Sequence, residues 1–414
     1  MTLKEIYDKW NSVSLILRIV IGLIIGIILA LVIPDILLIS AIGDIFIGAL
    51  KAIAPFLVFI LVLNSLSRST STYKNHFRLI IALYLISTIV AAIVAVVACS
   101  IFDVTVTLDI PSASGESTTD ISEIIYNLLM NLVENPLSAL INGNYLGILF
   151  WAILSGLIIK AFCSNSTKDI VNDLSMLITD IVKLIISFAP FGIMGLVYTA
   201  VSTNGMEIFT EYGQLILILV SCMLIVTFIT NPAIVAYLLK KNPYPLLLVC
   251  LRDSAVSAFF TRSSAANIPM NMKLCERMDV EDEFYSVSIP LGATINMNGA
   301  AITITVMTMV AAATLGMDIP IWLAIALSVI ATIGACGASG IAGGSLLLIP
   351  MACSLFGISD TVAMQMVAIG FIIGVIQDSF ETALNSSSDA YYTIAADRYM
   401  KEKAAKEQSC EATQ

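Results

Sequence analysis

The chain has 414 residues, of which 58% are hydrophobic and only 12% are charged, and its net charge at pH 7 is −10. A soluble domain is about one quarter charged, so this composition excludes an ordinary soluble protein. Apolar segments of about 20 residues recur, which indicates membrane helices rather than the short alternating strands of a barrel. The eight cysteines are scattered without a CxxC pair and predict neither a disulfide framework nor a metal site.

Six helices are predicted in the first part of the chain, in an orientation set by the cations. Loops 103–125 and 202–213 contain no Lys or Arg, whereas the link 67–77 is basic. By the positive-inside rule the cation-free loops face outward and both termini face the cytoplasm, as in a multi-pass protein of the cytoplasmic membrane. The predicted helices cover 14–33, 40–66, 78–101, 126–163 (broken near Asn135-Pro136 and Asn142–Asn144), 169–200 (containing Pro190) and 211–239.

The second part contains two segments that enter and leave on one side. Segment 242–272 is flanked by Lys240 and Lys273, both expected in the cytoplasm, and is predicted to be a re-entrant hairpin. Segment 317–359 contains no cation and is predicted to be a second hairpin entering from outside. Each hairpin precedes a long helix, 283–316 or the last one, which ends near residue 400. Such an inverted repeat is typical of secondary transporters. The predicted fold is an all-α polytopic membrane protein with eight transmembrane helices and two re-entrant hairpins of opposite orientation.

The last helix contains three carboxylates in an apolar setting: Asp378, Glu381 and Asp389. At 100° per residue these side chains share one stripe about 100° wide with Thr382 and Asn385. An Asp at bilayer depth costs about 2.5–3.5 kcal/mol on insertion scales. Because nearby segments offer few cations to pair with them, these carboxylates are expected to bind an amine or a cation from solution.

A helix break is predicted at NMNGA, residues 296–300, in the middle of helix 283–316. Sodium takes oxygen ligands, and the free carbonyls of a broken helix together with a carboxylate supply them. Asn296 and Asn298 are therefore candidates for an ion site facing the carboxylate stripe.

Several motifs resemble the dicarboxylate/amino acid:cation symporter family over most of the chain, residues 10–400. They are TRSS at 261–264, LGATINMNGA at 291–300, the Gly/Ala-rich segment 334–344 and DSFETALNSSSD at 378–389. The resemblance implies a homotrimer of one transporter domain per chain, residues 1–414. Helices 14–66 and 126–200 would form a scaffold, and an elevator-like transport part would comprise 78–101 and 211–400. Residues 401–414 would form a cytoplasmic tail.

The resemblance also implies roles for individual residues in substrate binding. Asp378 would bind the substrate amine, Asn385 its α-carboxylate, and Thr382 would line the pocket. The hairpin tips would contact the substrate through Ser263, Ser264 and Ala338.

Three sodium sites are implied by the resemblance. The first would comprise Gly292, Asn296, Asn385 and Asp389, and the second the backbone at Thr294, Thr332, Ile333 and Ala335. The third would involve Tyr84, Ser87 and Thr88, with Asn298 where the family has an aspartate.

Three positions depart from the family pattern. Glu381 replaces the arginine that pairs with an acidic substrate, and Ala300 replaces a threonine of the acidic-substrate members. A carboxylate at 381 would repel an acidic substrate and could hydrogen-bond a hydroxyl. Asn298 lacks the charge of the family's aspartate, so the third sodium site is the one this departure affects.

These observations predict a sodium-coupled importer of small neutral amino acids, serine and threonine foremost, with sodium as coupling ion, no organic cofactor and no nucleic-acid partner. A proton-coupled or dicarboxylate carrier of the same fold is an alternative, and a purely structural or receptor role is a weaker one. An intramembrane serine hydrolase is a remote alternative that rests on GASG at 337–340. The single histidine, His76, is predicted on the opposite side of the membrane from that motif. A serine nucleophile requires a base nearby, so no enzyme activity is expected.

Overall fold

The computed structural model of the protein describes residues 14–34, 36–68, 76–108, 130, 133–336, 338 and 343–411. Within those residues the secondary structure is helical and contains no strand. Most of the loop 103–125, part of the link 67–77 and three residues of the GASG motif lie outside the described residues.

The helices of the first part follow the predicted segments closely. They are α1 (Leu15–Val32), α2 (Leu37–Arg68), α3 (His76–Ile101), α4 (Pro136–Asn142), α5 (Tyr145–Phe162), α6 (Asn165–Ser187), α7 (Ala189–Asn204), α8 (Ile208–Ile225) and α9 (Asn231–Leu239). The breaks predicted in segment 126–163 are confirmed, because Asn135 and Asn144 cap α4 and α5. One prediction is wrong: 169–200 is two helices, bent by 55° where Pro190 opens α7. Proline removes a hydrogen-bond donor and crowds the preceding turn, which favours a new helix start.

The second part consists of shorter helices followed by one long helix. They are α10 (Tyr244–Cys250), α11 (Val256–Thr261), α12 (Ser264–Arg277), α13 (Asp282–Ile295), α14 (Asn298–Thr314), α15 (Ile321–Ala335), α16 (Ile349–Leu355) and α17 (Asp360–Glu411). Short π-helical segments precede α9 and α11, and a 3₁₀ turn, Ser345–Leu348, precedes α16. Helix α17 extends through most of 401–414, whose Lys, Glu and Ala residues are strong helix formers.

Six helices of the described chain are long and apolar enough to cross a membrane, or seven if the bent pair α6–α7 counts as one span. The protein is therefore an all-helical, multi-pass membrane protein. Between α11 and α12 the chain reverses at Arg262, whose φ of 51° is left-handed. The arms on either side of this turn pack against each other and against α17.

The helices pack in two groups. The first comprises α1, α2, α5, α6 and α7, and in the second α3 and α8–α16 pack around α17 and against one another. In the first group α1 approaches α7 closely at Gly22, where an added Cβ would lie 2.2 Å from the Pro190 carbonyl oxygen. The groups meet at an edge-to-face ring pair, Phe46 of α2 and Phe371 of α17, whose centroids are 5.2 Å apart.

Candidate functional site

The predicted break at NMNGA is confirmed and faces α17. Helix α13 ends at Ile295 and α14 begins at Asn298, so Asn296 and Met297 lie outside regular helix. Both residues are buried. Pro290 lies inside α13 one turn before this end. The unwound residues therefore lie inside the protein, next to the carboxylate stripe of α17.

Asp389 is fully buried beside this break. Its Oδ1 accepts a hydrogen bond of 2.8 Å from Asn296 Nδ2, while its Oδ2 has no hydrogen-bond partner among the described residues. Asn296 Nδ2 also lies 3.5 Å from the Asn385 carbonyl oxygen. A Cβ added at Gly292 would lie 2.7 Å from Asp389 Oδ1, so only glycine leaves room here. The structure thus brings the predicted first-sodium residues together beside the Asp389 carboxylate, whose Oδ2 lacks a partner among the described residues.

The residues predicted for the third sodium site also lie together, but their polar groups already form hydrogen bonds with one another or with the backbone. Ser87 Oγ and Thr88 Oγ1 donate to Asn298 Oδ1 at 3.1 and 3.0 Å. Tyr84 OH donates to the Ser288 carbonyl at 3.1 Å. The Asn298 Nδ2 has no partner among the described residues. An aspartate at 298 would place an acceptor oxygen where this chain has that nitrogen.

The residues predicted for the second sodium site lie on two neighbouring helix ends. Thr294 is in the last turn of α13 and is exposed, whereas Thr332, Ile333 and Ala335 end α15. Cys336 Sγ lies 3.5 Å from the Ile295 carbonyl oxygen, which brings the two ends together. The Thr332 hydroxyl donates its hydrogen to the Ser328 carbonyl, and its lone pairs and the backbone oxygens at the end of α15 are the acceptors there.

Asp378 is paired with a cation, contrary to the expectation from the sequence. Arg262 Nε donates to Asp378 Oδ2 at 2.9 Å, and both side chains are buried, 8% and 4% exposed. Arg262 lies in the hairpin turn, more than a hundred residues before Asp378 in the chain. The number of cations in the segments next to the last helix therefore does not predict this pair. Arg262 Nη1 has no partner among the described residues. The Gly343 backbone and the Thr382 hydroxyl also face the Asp378 carboxylate.

The ion pair borders a narrow cavity between the two packing groups. Arg262, Gly343 and Asp378 line one side of it, and Ile19 of α1 and Ile193 of α7 line the other. The pair therefore lies where the second group faces the first.

The other residues predicted to contact the substrate lie on α17, at the first hairpin tip and in the segment between α15 and α16. Asn385 Oδ1 accepts from the Gly299 backbone at 2.7 Å, and among the described residues the Asn385 amide nitrogen contacts only the Met297 sulfur. Ser263 caps α12 by accepting from the Ala266 backbone, and Ser264 is buried. Ala338 is buried too, whereas Gly337, Ser339 and Gly340 lie outside the described residues.

A cluster of buried amides and hydroxyls fixes the first hairpin against α17. Asn267 Nδ2 donates to Ser386 Oγ at 2.8 Å, and Asn271 Nδ2 donates to the Ser386 carbonyl at 2.9 Å. Asn267 also bonds Ser254 on the other arm of the hairpin. These contacts explain why the turn at Arg262 is held at the height of Asp378.

Glu381 lies in a cluster of neutral donors that the sequence reading missed. Its Oε2 accepts from Thr303 Oγ1 at 2.7 Å, from Ser345 Oγ at 2.9 Å and from Gln377 Nε2. Gln377 is one turn before Glu381 on the same helix, a spacing visible in the sequence. Thr303 and Ser345 come from α14 and the 3₁₀ turn, and no spacing rule connects them to α17.

The site combines a break in a buried helix, a stripe of buried carboxylates and a hairpin turn whose arginine pairs with one of them. These features define a secondary transporter rather than a hydrolase. The profile of the sodium:dicarboxylate symporter family matches residues 15–399. The chain belongs to this family of transporters. The predictions that the protein is a symporter and that it is not an enzyme are thereby confirmed.

Curated relatives cover nearly the whole chain. The serine/threonine transporter SstT of Enterococcus faecalis is 52% identical over 386 residues, which are 93% of this chain and 92% of the relative. The serine/threonine transporter SstT of Bifidobacterium adolescentis is 50% identical over 95% of this chain and 92% of its own. The protein of the same name from Streptococcus agalactiae is 50% identical over 96% of this chain and 98% of its own.

Proposed function

We propose that the protein imports small neutral amino acids, serine and threonine foremost, in symport with sodium. The observation that carries this proposal is the name serine/threonine transporter, shared by relatives at 50–52% identity over more than nine tenths of the chain. Sodium as the driving ion follows from the family.

Asp378 is the proposed contact of the substrate amine. A carboxylate offers about four lone-pair sites, so Asp378 can keep Arg262 and still accept from an ammonium group. Burial makes the contact strong, because water does not screen charges there as it does at a surface. A substrate without a free amine would leave this acceptor unfilled.

The α-carboxylate of the substrate is proposed to bind at Asn385 and the first hairpin tip. Within the described part of the chain, the Asn385 amide nitrogen faces only the Met297 sulfur at 3.5 Å, a weak acceptor that a carboxylate oxygen can replace. Ser263 and Ser264 begin α12, and the backbone amides of a helix N-terminus favour an anion. Thr382 and Ala338 would complete the enclosure.

The first sodium site is proposed to lie at Asp389, together with oxygens of Gly292, Asn296 and Asn385. Asp389 Oδ2, which lacks a partner in the described part of the chain, and the space that glycine leaves at 292 suit a small cation. The backbone carbonyls near Thr294 and at Thr332, Ile333 and Ala335 form the proposed second site. Asn298 can offer one oxygen to a third ion, with Tyr84, Ser87 and Thr88 nearby, but no negative charge.

Glu381 is proposed to exclude acidic substrates. The carboxylate is buried, and among the described residues its hydrogen bonds come from neutral groups. A second carboxylate brought to this position would meet a like charge in a low-dielectric site. This argues against dicarboxylates as substrates, although the family is named after them.

The architecture proposed for the membrane has eight spanning helices and two re-entrant hairpins, 242–272 and 317–359. The first packing group would be the scaffold and the second the moving part, because α17 carries the proposed site and is enclosed by the second group. We further propose that the protein is a homotrimer in the cytoplasmic membrane, as the family resemblance implies. Both termini would lie in the cytoplasm, as the cation distribution favours.

Uptake by proteoliposomes tests this function. Labelled serine should accumulate when an inward sodium gradient is imposed and should not accumulate with potassium or a proton gradient alone. Threonine should compete with serine, whereas aspartate should not compete at neutral pH. Accumulation driven by protons alone, or aspartate competing as well as threonine does, would contradict the proposal.

A further inference from the structure

Gln377 has both amide hydrogens committed and its carbonyl oxygen left over. Its Nε2 donates to Thr303 Oγ1 at 2.7 Å and to Glu381 Oε2. The side chain is 1% exposed, and its Oε1 has no hydrogen-bond partner among the described residues. A buried acceptor without a partner is unfavourable, and native proteins rarely keep one without a reason. The missing donor is therefore expected to arrive with a ligand.

Oε2 of Glu381 is less suited than Gln377 Oε1 to accept a hydrogen bond from a ligand. Three donors, from Thr303, Ser345 and Gln377, already converge on Oε2. A carboxylate oxygen has about two lone-pair sites, so Oε2 is filled by the protein's own groups. Glu381 thus holds the amide of Gln377 in one orientation, with the nitrogen toward the carboxylate and the oxygen away from it.

The cluster lies beside the proposed substrate site. Gln377 directly precedes Asp378 in α17, and Ser345 follows Gly343, whose backbone faces the Asp378 carboxylate. On the remaining side, a Cβ added at Gly299 would lie 2.8 Å from Glu381 Cα, so α14 closes the cluster there. Three elements, α14, α17 and the 3₁₀ turn before α16, therefore converge on Glu381 Oε2 and fix the Gln377 amide, whose carbonyl oxygen lacks a donor among the described residues.

We propose that Gln377 is the residue that distinguishes hydroxylated from aliphatic substrate side chains, with its Oε1 accepting the hydrogen bond of the substrate hydroxyl. Thr303, Ser345 and Glu381 are positioning residues that fix the amide. This inference rests on the proposed transport of serine and threonine. A site built to bond a hydroxyl rejects the analogue that lacks it, because the buried acceptor is then left unpaired. Alanine should therefore bind at least about tenfold more weakly than serine.

The test compares serine with alanine in reconstituted protein under a sodium gradient. Half-inhibition of labelled serine uptake, or of serine binding to purified protein, is measured with unlabelled serine, threonine and alanine. In Gln377→Leu, which removes the amide, the preference for serine over alanine should fall to about twofold. Affinity for serine should weaken, while affinity for alanine and the sodium dependence should stay as in the unmutated protein.

Two further variants separate recognition from folding. Thr303→Val keeps Oε1 but removes one of the bonds that orient it, so the preference should fall by an intermediate factor. Ser379→Ala removes a buried hydroxyl of α17 that bonds its own helix at Val375, and the preference should not change. If Gln377→Leu is not recovered as folded protein, the Thr303→Val ratio decides.

The outcomes of this test keep the two proposals apart. An unchanged serine-to-alanine ratio in a sodium-driven Gln377→Leu or Thr303→Val variant overturns the role of Gln377. Absence of serine transport by the unmutated protein contradicts the proposed function instead. Equal loss of serine and alanine affinity in Gln377→Leu would show a structural role only and would also overturn the inference.

Discussion

Two carboxylates of α17 are buried equally well but are neutralised differently. Asp378 is 3% exposed and Asp389 is 0% exposed, about three turns further along the helix. Asp378 receives Arg262 from the first hairpin, whereas Asp389 receives only the neutral amide of Asn296. A buried charge requires a partner, so the first site is complete without a ligand and the second is not.

This difference suits the two ligands proposed for the helix. Under the proposed function, the substrate amine would share the Asp378 carboxylate with Arg262. A cation proposed to bind at Asp389 would supply the missing counter-charge and would therefore stabilise the protein directly. Of the four predictions below, the first two change these carboxylates, and the last two concern a neutral residue and a carboxylate outside the pair.

The largest effect is expected for Asp378→Ala. Serine uptake should be abolished, and removing one member of a buried ion pair should cost about 3–5 kcal/mol of stability, because Arg262 is left unpaired. The double variant Arg262→Leu with Asp378→Ala should recover stability but not uptake. Thermal unfolding in detergent and serine binding measure the two effects. In the unmutated protein, N-acetylserine should compete with serine much less than serine itself does. Equal competition would contradict the contact between Asp378 and the substrate amine.

A smaller effect is expected for Asp389→Asn. Apparent sodium affinity should fall about 10- to 100-fold, the loss expected for removing a charged hydrogen-bonding partner. Folded protein should remain abundant, because Asp389 Oδ2 has no hydrogen bond to lose among the described residues. Sodium titration of serine uptake measures this. Ser387→Ala, which removes a hydroxyl bonded to its own helix, is the matched control. An unchanged sodium dependence would remove Asp389 from the ion site.

The third prediction concerns Asn298 and the number of ions. We expect fewer sodium ions per substrate than in family members that have an aspartate there, because Asn298 brings no charge to Ser87 and Thr88. Asn298→Asp should raise the coupling ratio and steepen the dependence of uptake on sodium. Reversal potentials in proteoliposomes measure the ratio. Equal ratios in the two proteins would mean that the amide oxygen suffices.

The smallest effect is expected at Glu134, a half-buried carboxylate, which contrasts with the two fully buried ones. Hydrogen bonds from Ser138 and Asn144 lower the pKa of Glu134 below its usual value. Because this folded pKa is depressed, the contribution is fully present above the unfolded pKa of about 4.3 and is lost as pH falls through the folded pKa. Glu134→Gln should cost less than about 1 kcal/mol at pH 7 and nothing below the folded pKa. Thermal unfolding at several pH values measures it, and a cost that persists in acid would rule out this linkage.

Much of the fold could be predicted because its signals are local. Apolar length gave the long helices, and Pro136 and the asparagine caps gave the breaks of segment 126–163. The bend at Pro190 was mispredicted as a continuous helix. Proline can either kink a helix or open a new one, and the choice depends on what the next turn packs against.

The site could be predicted only along single helices. The stripe from Asp378 to Asp389 follows from the helical period, and the unwound Asn296 follows from its sequence context. The partners Arg262, Thr303 and Ser345 come from other segments, and only the packing of three elements brings them to α17. The expectation of few cations failed for this reason.

The edge-to-face pair of Phe46 and Phe371 has a consequence for the speed of transport. Such a pair contributes about 0.5–1.5 kcal/mol beyond the area it buries, and it joins the two packing groups. Under the proposed movement of one group past the other, the rings must part once in each cycle. Breaking this contact slows departure from this state by about two- to tenfold, and it makes the turnover rate depend more strongly on temperature.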